Sequence, residues 1–128
     1  MKEACPSYIK DTTHLLQKIN EVRIPEGEDT VLFTMDVKGL YTNIPKELGL
    51  EALRYYLDKR EKKYPPTETV IKLAEFVLTR NCMEFDGQFF KQILGTMMGT
   101  PFAVEYSCLT MSYVEMKIAN DDDNDYCT

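Results

Sequence analysis

Asp36 closes a β-prone run, Val31 to Met35, and a glycine-containing turn follows it at once. A carboxylate at the end of a covered strand costs desolvation energy unless something compensates it. Two structural roles would do so: exposure at the strand end, or capping of the turn that follows. The functional role is a divalent ion, because a rigid strand can hold Asp36 as a hard oxygen ligand for Mg²⁺ or Mn²⁺. Mg²⁺ keeps waters and substrate phosphates as its other ligands. Two-ion phosphoryl transfer needs at least a pair of such carboxylates, one ion activating the attacking hydroxyl. Five residues on, Tyr41 reads by itself as a half-buried core ring. Further along, "GTMMGTP" (95–101) offers a main chain that large side chains do not shield. It contains neither a phosphate-loop Gly-Lys-Ser/Thr nor GxGxxG, so by itself it reads as a loop before a helix.

Other reactive residues carry less. His14 is the single histidine and sits in a polar context near a helix start. Cys5, Cys82, Cys108 and Cys127 are widely spaced with no C-x-x-C pair, so reduced thiols are expected rather than a zinc site or disulfide framework. The net charge of −6 argues against a free-standing nucleic-acid binder, which needs clustered Lys and Arg. Four of the acids, Asp121, Asp122, Asp123 and Asp125, lie in the tail. The nearest approach to a basic stripe is "KREKK", Lys59 to Lys63, which reads as a solvated helix end.

The elements that must position these residues follow from periodicity. With 128 residues and 44% hydrophobic content, one domain with a modest core is expected. A short helix is predicted over 9–22, its apolar face made by Leu15, Leu16, Ile19 and Val22. The strand 31–36 alternates Val31, Phe33 and Met35 with Leu32, Thr34 and Asp36, and reads as central and covered on both faces. Pro45 suits the first turn of a helix running to about Lys63, and another spans about Glu68 to Arg80, with Val70, Ala74, Val77 and Leu78 inward. Asp86-Gly87 between β-prone arms predicts a hairpin. Pro101 opens a long helix with a buried seam of Phe102, Tyr106, Leu109, Tyr113 and Met116. The fold class is therefore α+β, a short antiparallel sheet of the first strand plus the hairpin, packed on three to four helices. Residues 120–128 read as an acidic disordered tail. No apolar stretch approaches the roughly 18 residues of a membrane span. The N-terminus lacks a signal-peptide core, so an intracellular protein is expected.

Asp36-Val37-Lys38-Gly39-Leu40-Tyr41-Thr42-Asn43-Ile44-Pro45 resembles motif A of reverse transcriptases, specifically of Penelope-like retroelements, where D-V-x-x-L-Y-T-N-I-P is characteristic. The resemblance implies that Asp36 is a catalytic metal ligand and that the Val37 carbonyl touches a second ion. It makes Tyr41 the steric gate against a ribose 2′-hydroxyl. A second block, "RNCMEFDGQFFKQILGTMMGTPFAVEYSCLTMSYVE", resembles the same family's hairpin and motif B, with Gly95, Thr96, Met98, Gly99, Thr100 and Ala103 matching. It implies that Gly99, Thr100 and Pro101 border the incoming nucleotide, Thr100-Pro101 standing where other reverse transcriptases have Ser-Pro. With "SYIKDTTHLLQKI" before motif A, the resemblance spans about residues 7–116.

Departures from the family bear on activity. Motif C, an aromatic-x-Asp-Asp strand turn, is expected after the motif B helix, yet "MKIANDDDNDYCT" has no β-prone arms to form that hairpin. The family's Ala-Pro is Ala103-Val104, and the hairpin Tyr is Phe90. Fingers lysines and arginines that hold a triphosphate would precede Ser7. The expectation is a partial palm over residues 1–119, carrying one catalytic aspartate of three. In the full-length family its partners are an RNA/DNA template-primer and dNTP, and alone it would be inactive. The last helix's apolar seam would be left partly uncovered and open to self-association. The alternative is a non-catalytic, domesticated interaction domain.

Overall fold

The computed structural model describes residues 7–24, 27, 29–31 and 33–120. The elements are α1 (Thr12–Glu21), α2 (Leu40–Asn43), α3 (Lys46–Asp58), α4 (Thr67–Thr79), β1 (Cys82–Phe85), β2 (Gln88–Lys91) and α5 (Pro101–Ala119). The described residues thus form a small α+β fold of five helices and a two-stranded antiparallel sheet. No described helix is long and apolar enough to cross a membrane. The acidic segment 121–128 lies outside the described residues.

Helices α3, α4 and α5 form the body. Leu53, Ile71 and Ala74 are buried together, and Ile44, Leu78 and Tyr106 form a second cluster, with Leu50 and Phe102 packed against both. Complete burial of a Leu or Ile contributes roughly 1.5–3 kcal/mol, so these few residues supply much of the driving force. Gly49 lets α3 and α5 approach closely: a Cβ there would collide with the Tyr106 ring, which lies 2.7 Å from it at Cε2. Farther along the same interface, Tyr56 donates to Ser112 Oγ at 2.9 Å, and the Tyr55 and Tyr113 rings lie 5.2 Å apart. Thr67 Oγ1 donates to Asp58 Oδ1 at 2.9 Å, joining the start of α4 to the end of α3.

Several sequence expectations are corrected. Val31 to Asp36 forms no strand: among the described residues β1 and β2 are the whole sheet, and Val31, Phe33 and Met35 are exposed. A strand exists through its partner's hydrogen bonds, and no described segment supplies one here. The hairpin pairs Cys82 with Lys91 and Phe85 with Gln88, around Asp86 and Gly87 at φ 50° and 69°. Two positive φ values there are the signature of the tight hairpin turn read from Asp-Gly. The hairpin packs on no described helix, and both of its strands are exposed on both faces.

Helix α1 forms near its expected place, started by Asp11, whose Oδ1 accepts from the His14 amide at 2.9 Å. His14 Nδ1 accepts from the Lys10 amide, a surface role as expected. The apolar face of α1 nonetheless stays exposed and meets no other described helix or strand. Helix α3 ends at Asp58, before Lys59–Lys63, because Arg60 turns back to donate to the Leu57 and Pro65 carbonyls at 3.0 Å each. The α5 seam is partly covered: Tyr106 and Tyr113 are buried, whereas Phe102, Leu109 and Met116 are only half-buried. In α4 the inward residues are Ile71, Ala74 and Leu78, while Val77 is exposed.

Candidate functional site

The turn after Asp36 is built on Gly39. Its φ of 59° is left-handed, a conformation glycine adopts without steric cost. Its carbonyl accepts from the Thr42 amide at 3.0 Å, the Asn43 amide at 3.2 Å and the Thr42 hydroxyl at 2.9 Å. Asn43 Nδ2 donates to the Lys38 and Gly39 carbonyls at 3.1 Å each. Short polar side chains that bond back to local carbonyls favour turns of this kind. The result is the single-turn helix α2, which ends at buried Ile44 and is thereby pinned to Leu78 and Tyr106.

Two backbone hydrogen bonds then dock the glycine-rich loop on this turn. The Thr96 amide donates to the Tyr41 carbonyl at 2.6 Å, and the Gly95 amide donates to the Ile44 carbonyl at 3.2 Å. Gly95 has φ 73° and passes so near α2 that a Cβ would lie 2.6 Å from Thr42 Cα and closer still to the Tyr41 carbonyl oxygen. Thr96 is buried, and its hydroxyl has no partner among the described residues. From there the loop reaches Gly99, at φ 91° with open space around it, and then Thr100. Thr100 caps α5, its Oγ1 accepting from the Ala103 amide at 3.2 Å and donating to the Met97 carbonyl at 3.3 Å.

The two segments singled out in the sequence therefore meet through Tyr41–Ile44 and Gly95–Thr96. Tyr41 is half-buried at the junction. Asp36 and Val37 lie ahead of α2, both exposed. Gly99 and Pro101 are exposed and Thr100 is half-buried. Among the described residues no three His, Cys, Asp or Glu side chains converge. One carboxylate with one neighbouring carbonyl supplies two of the six positions that Mg²⁺ requires. Two-ion chemistry calls for further carboxylates beside Asp36.

A second polar cluster, which the sequence reading did not single out, joins α3 to α5. Glu51 Oε1 accepts from the Tyr113 hydroxyl at 2.6 Å and from Lys117 Nζ at 2.9 Å. These bonds, Tyr113 first and then Lys117, hold the Glu51 carboxyl below its ordinary pKa. The hydrogen bond to Glu51 also pushes both Tyr113 and Lys117 upward. Lys117 Nζ lies 4.6 Å from the Tyr113 ring centre, a cation–π contact that adds to the tie. Glu51, Tyr113 and Lys117 are far apart in sequence, and only helix packing brings them together. Tyr106 is raised to about 12 by burial, with Glu47 adding to the effect.

No protein-family model matches the chain, and no curated protein or solved structure matches it either.

Proposed function

We propose that this chain is a palm segment of a retroelement reverse transcriptase, carrying the turn that follows the catalytic aspartate and the loop that borders the nucleotide. The observation that supports this reading is the docking of Gly95–Thr96 onto Tyr41–Ile44 by two backbone hydrogen bonds. Segments about fifty residues apart, each chosen for its likeness to a polymerase motif, lie against each other, as a shared nucleotide site requires. In this reading Asp36 would ligate one ion and the Val37 carbonyl would contribute to a second. The Tyr41 ring walls the sugar pocket, while Gly99, Thr100 and Pro101 leave room for the nascent base pair. A single carboxylate does not assemble a two-ion clamp, so in this reading the chain by itself does not polymerise.

The test is Mn²⁺ titration of the ¹⁵N-labelled chain with an RNA template, DNA primer and dNTP present. Amide signals of residues 36–43 and 95–100 are expected to broaden together, and Asp36→Asn removes that broadening while sparing any at Asp121–Asp125. Broadening confined to the acidic tail, or unchanged by Asp36→Asn, would sink the proposal. Template-dependent extension by the chain alone, lost on Asp36→Asn, would overturn only its inactivity.

A non-catalytic interaction domain is the second reading. It is favoured by the exposed apolar face of α1 and by exposed Phe85 and Phe89 on the hairpin. Under it Mn²⁺ binding at residues 36–43 is absent.

A further inference from the structure

Helix α1 poses a physical problem in its observed state. It has 10 residues, and an isolated helix shorter than about 12 to 15 residues is marginal in water. Such a helix persists in a protein mainly because its apolar face is packed against something. Here Leu15, Leu16, Ile19 and Val22 are all exposed, and α1 meets no other described helix or strand.

The body of the fold holds a matching gap. Helices α4 and α5 both pack on α3 and leave an apolar groove between them. Val70, Leu73 and Val77 line one wall, and Phe102 and Leu109 the other. Leu73 and Val77 are exposed and Phe102 and Leu109 half-buried, so both walls lack cover. The walls from Val70 to Val77 and from Phe102 to Leu109 have the same span as the stripe from Leu15 to Val22, about 10 Å at the helical rise. The chain also enters α1 on the correct side of α5. The Ser7 hydroxyl donates to Glu115 Oε2, and Ser7 shares a hollow with Ser112 and Met116. Glu105, Leu109, Ser112 and Met116 recur at helical spacing and form one ridge of α5. The ridge that receives Ser7 therefore continues into the wall of the groove.

We propose that α1 is a strap that closes into the groove between α4 and α5, its axis antiparallel to α5. Leu15 then lies level with Leu109 and Val22 level with Phe102, and the stripe meets both walls. The chain from Ser7 to Thr12 reaches at most about 18 Å. Leu109 lies only about 9 Å along α5 from Glu115, so the strap closes without breaking the contact at Ser7. In this register Lys18 comes level with Glu105, the one charged residue among those lining the groove, and the two pair at its rim. Closure removes apolar area from water on α1, α4 and α5 together and gives the short helix the support it lacks. The occupant is this chain's own α1 rather than that of a second copy. A short tether supplies an effective concentration on the order of millimolar, which a micromolar solution of free chains does not match. The observed open state and the closed one are two positions of one equilibrium. The proposal does not rest on the polymerase reading.

Disulfide trapping in the full chain tests it, in a background with the four native cysteines replaced by serine. Ile19→Cys and Leu73→Cys stand midway along the stripe and the α4 wall. Together they are expected to cross-link within one chain, at a rate that does not change on dilution. Gln17→Cys with Leu73→Cys places the thiol on the opposite face of α1 and is expected to react at least about tenfold more slowly. Amide exchange in the chain with its native cysteines gives a second readout. Leu73→Lys, at a side chain already exposed, is expected to bring residues 15–21 to the unprotected rate, whereas Phe89→Lys on the hairpin leaves them unchanged. Trapping of Ile19→Cys no faster than that of Gln17→Cys, cross-links formed only between chains, or α1 exchange indifferent to Leu73→Lys would overturn the proposal.

Discussion

The Thr96 amide donates to the Tyr41 carbonyl oxygen at 2.6 Å, and the approach is open only because Gly95 beside it carries no side chain. Gly95→Ala would set a methyl group against the α2 main chain, which has no flexible end to swing aside. It would also force an L-residue to φ 73°, at a cost of about 1–2 kcal/mol. Releasing the loop forfeits two hydrogen bonds of roughly 0.5–1.5 kcal/mol each. We expect Gly95→Ala to lower stability by at least about 1 kcal/mol and to abolish hydrogen-exchange protection at the Thr96 amide. Unchanged protection there would mean that the docking carries no energy.

Thr100 has a simpler task that is separable from any nucleotide role. Its hydroxyl accepts from the Ala103 amide and starts α5, the longest described helix. Replacing such a cap with alanine costs about 1 kcal/mol, whereas serine retains the acceptor. Urea unfolding of Thr100→Ala and Thr100→Ser decides this: a drop of that size in the first and a near-unchanged midpoint in the second are expected. Equal losses would place the energy in the threonine methyl group.

How legible the molecule was in its sequence depends on whether each element's partner lay nearby. Helices α3, α4 and α5 were readable from apolar spacing, because Leu53, Ala74, Leu78, Tyr106 and Tyr113 meet within one bundle. The hairpin was readable from Asp86-Gly87, since its turn needs positive φ at both positions. The strand at Val31–Asp36 was misread because alternation reports what a segment would bury, not whether a partner arrives. Leu15, Leu16, Ile19 and Val22 fail in the same way on α1. Helix α2 escaped notice because four residues are too few for periodicity; its cause is local bonding by Thr42 and Asn43. In the site, Tyr41 and Gly95 were flagged by their motifs, but the Glu51–Tyr113–Lys117 cluster has no sequence signature. One available signal was passed over: Gly49 inside a helical pattern marks a close approach.

That glycine supports a prediction of unexpected sign. Gly→Ala in an exposed helix interior stabilises by up to about 1 kcal/mol. At Gly49 the added methyl collides with Tyr106, a buried ring, and overpacking of that kind costs typically 1–3 kcal/mol. Gly49→Ala is therefore expected to destabilise. Because the Tyr106 hydroxyl is among the atoms met, Tyr106→Phe should soften the penalty, giving a favourable coupling in the double-mutant cycle. Simple additivity of the two changes would show that α3 shifts rather than strains.

The same ring sets an alkaline limit on stability. Burial raises the Tyr106 hydroxyl to about 12, with Glu47 acting in the same direction, against an ordinary 10.0 in the unfolded chain. The folded state therefore keeps the proton over a range in which the unfolded state gives it up. The contribution is fully present below pH 10 and is lost as the pH rises toward 12, with a slope of at most about 1.4 kcal/mol per pH unit. Tyr106→Phe has no such proton. Its hydroxyl bond to the Lys46 carbonyl is long, at 3.4 Å, so the neutral-pH loss from removing it is expected to stay under about 1 kcal/mol. Urea midpoints measured from pH 8 to 11.5 should thus converge, the wild-type chain losing stability above pH 10 faster than Tyr106→Phe. Parallel curves across that range would mean that the ring is solvated before the chain unfolds.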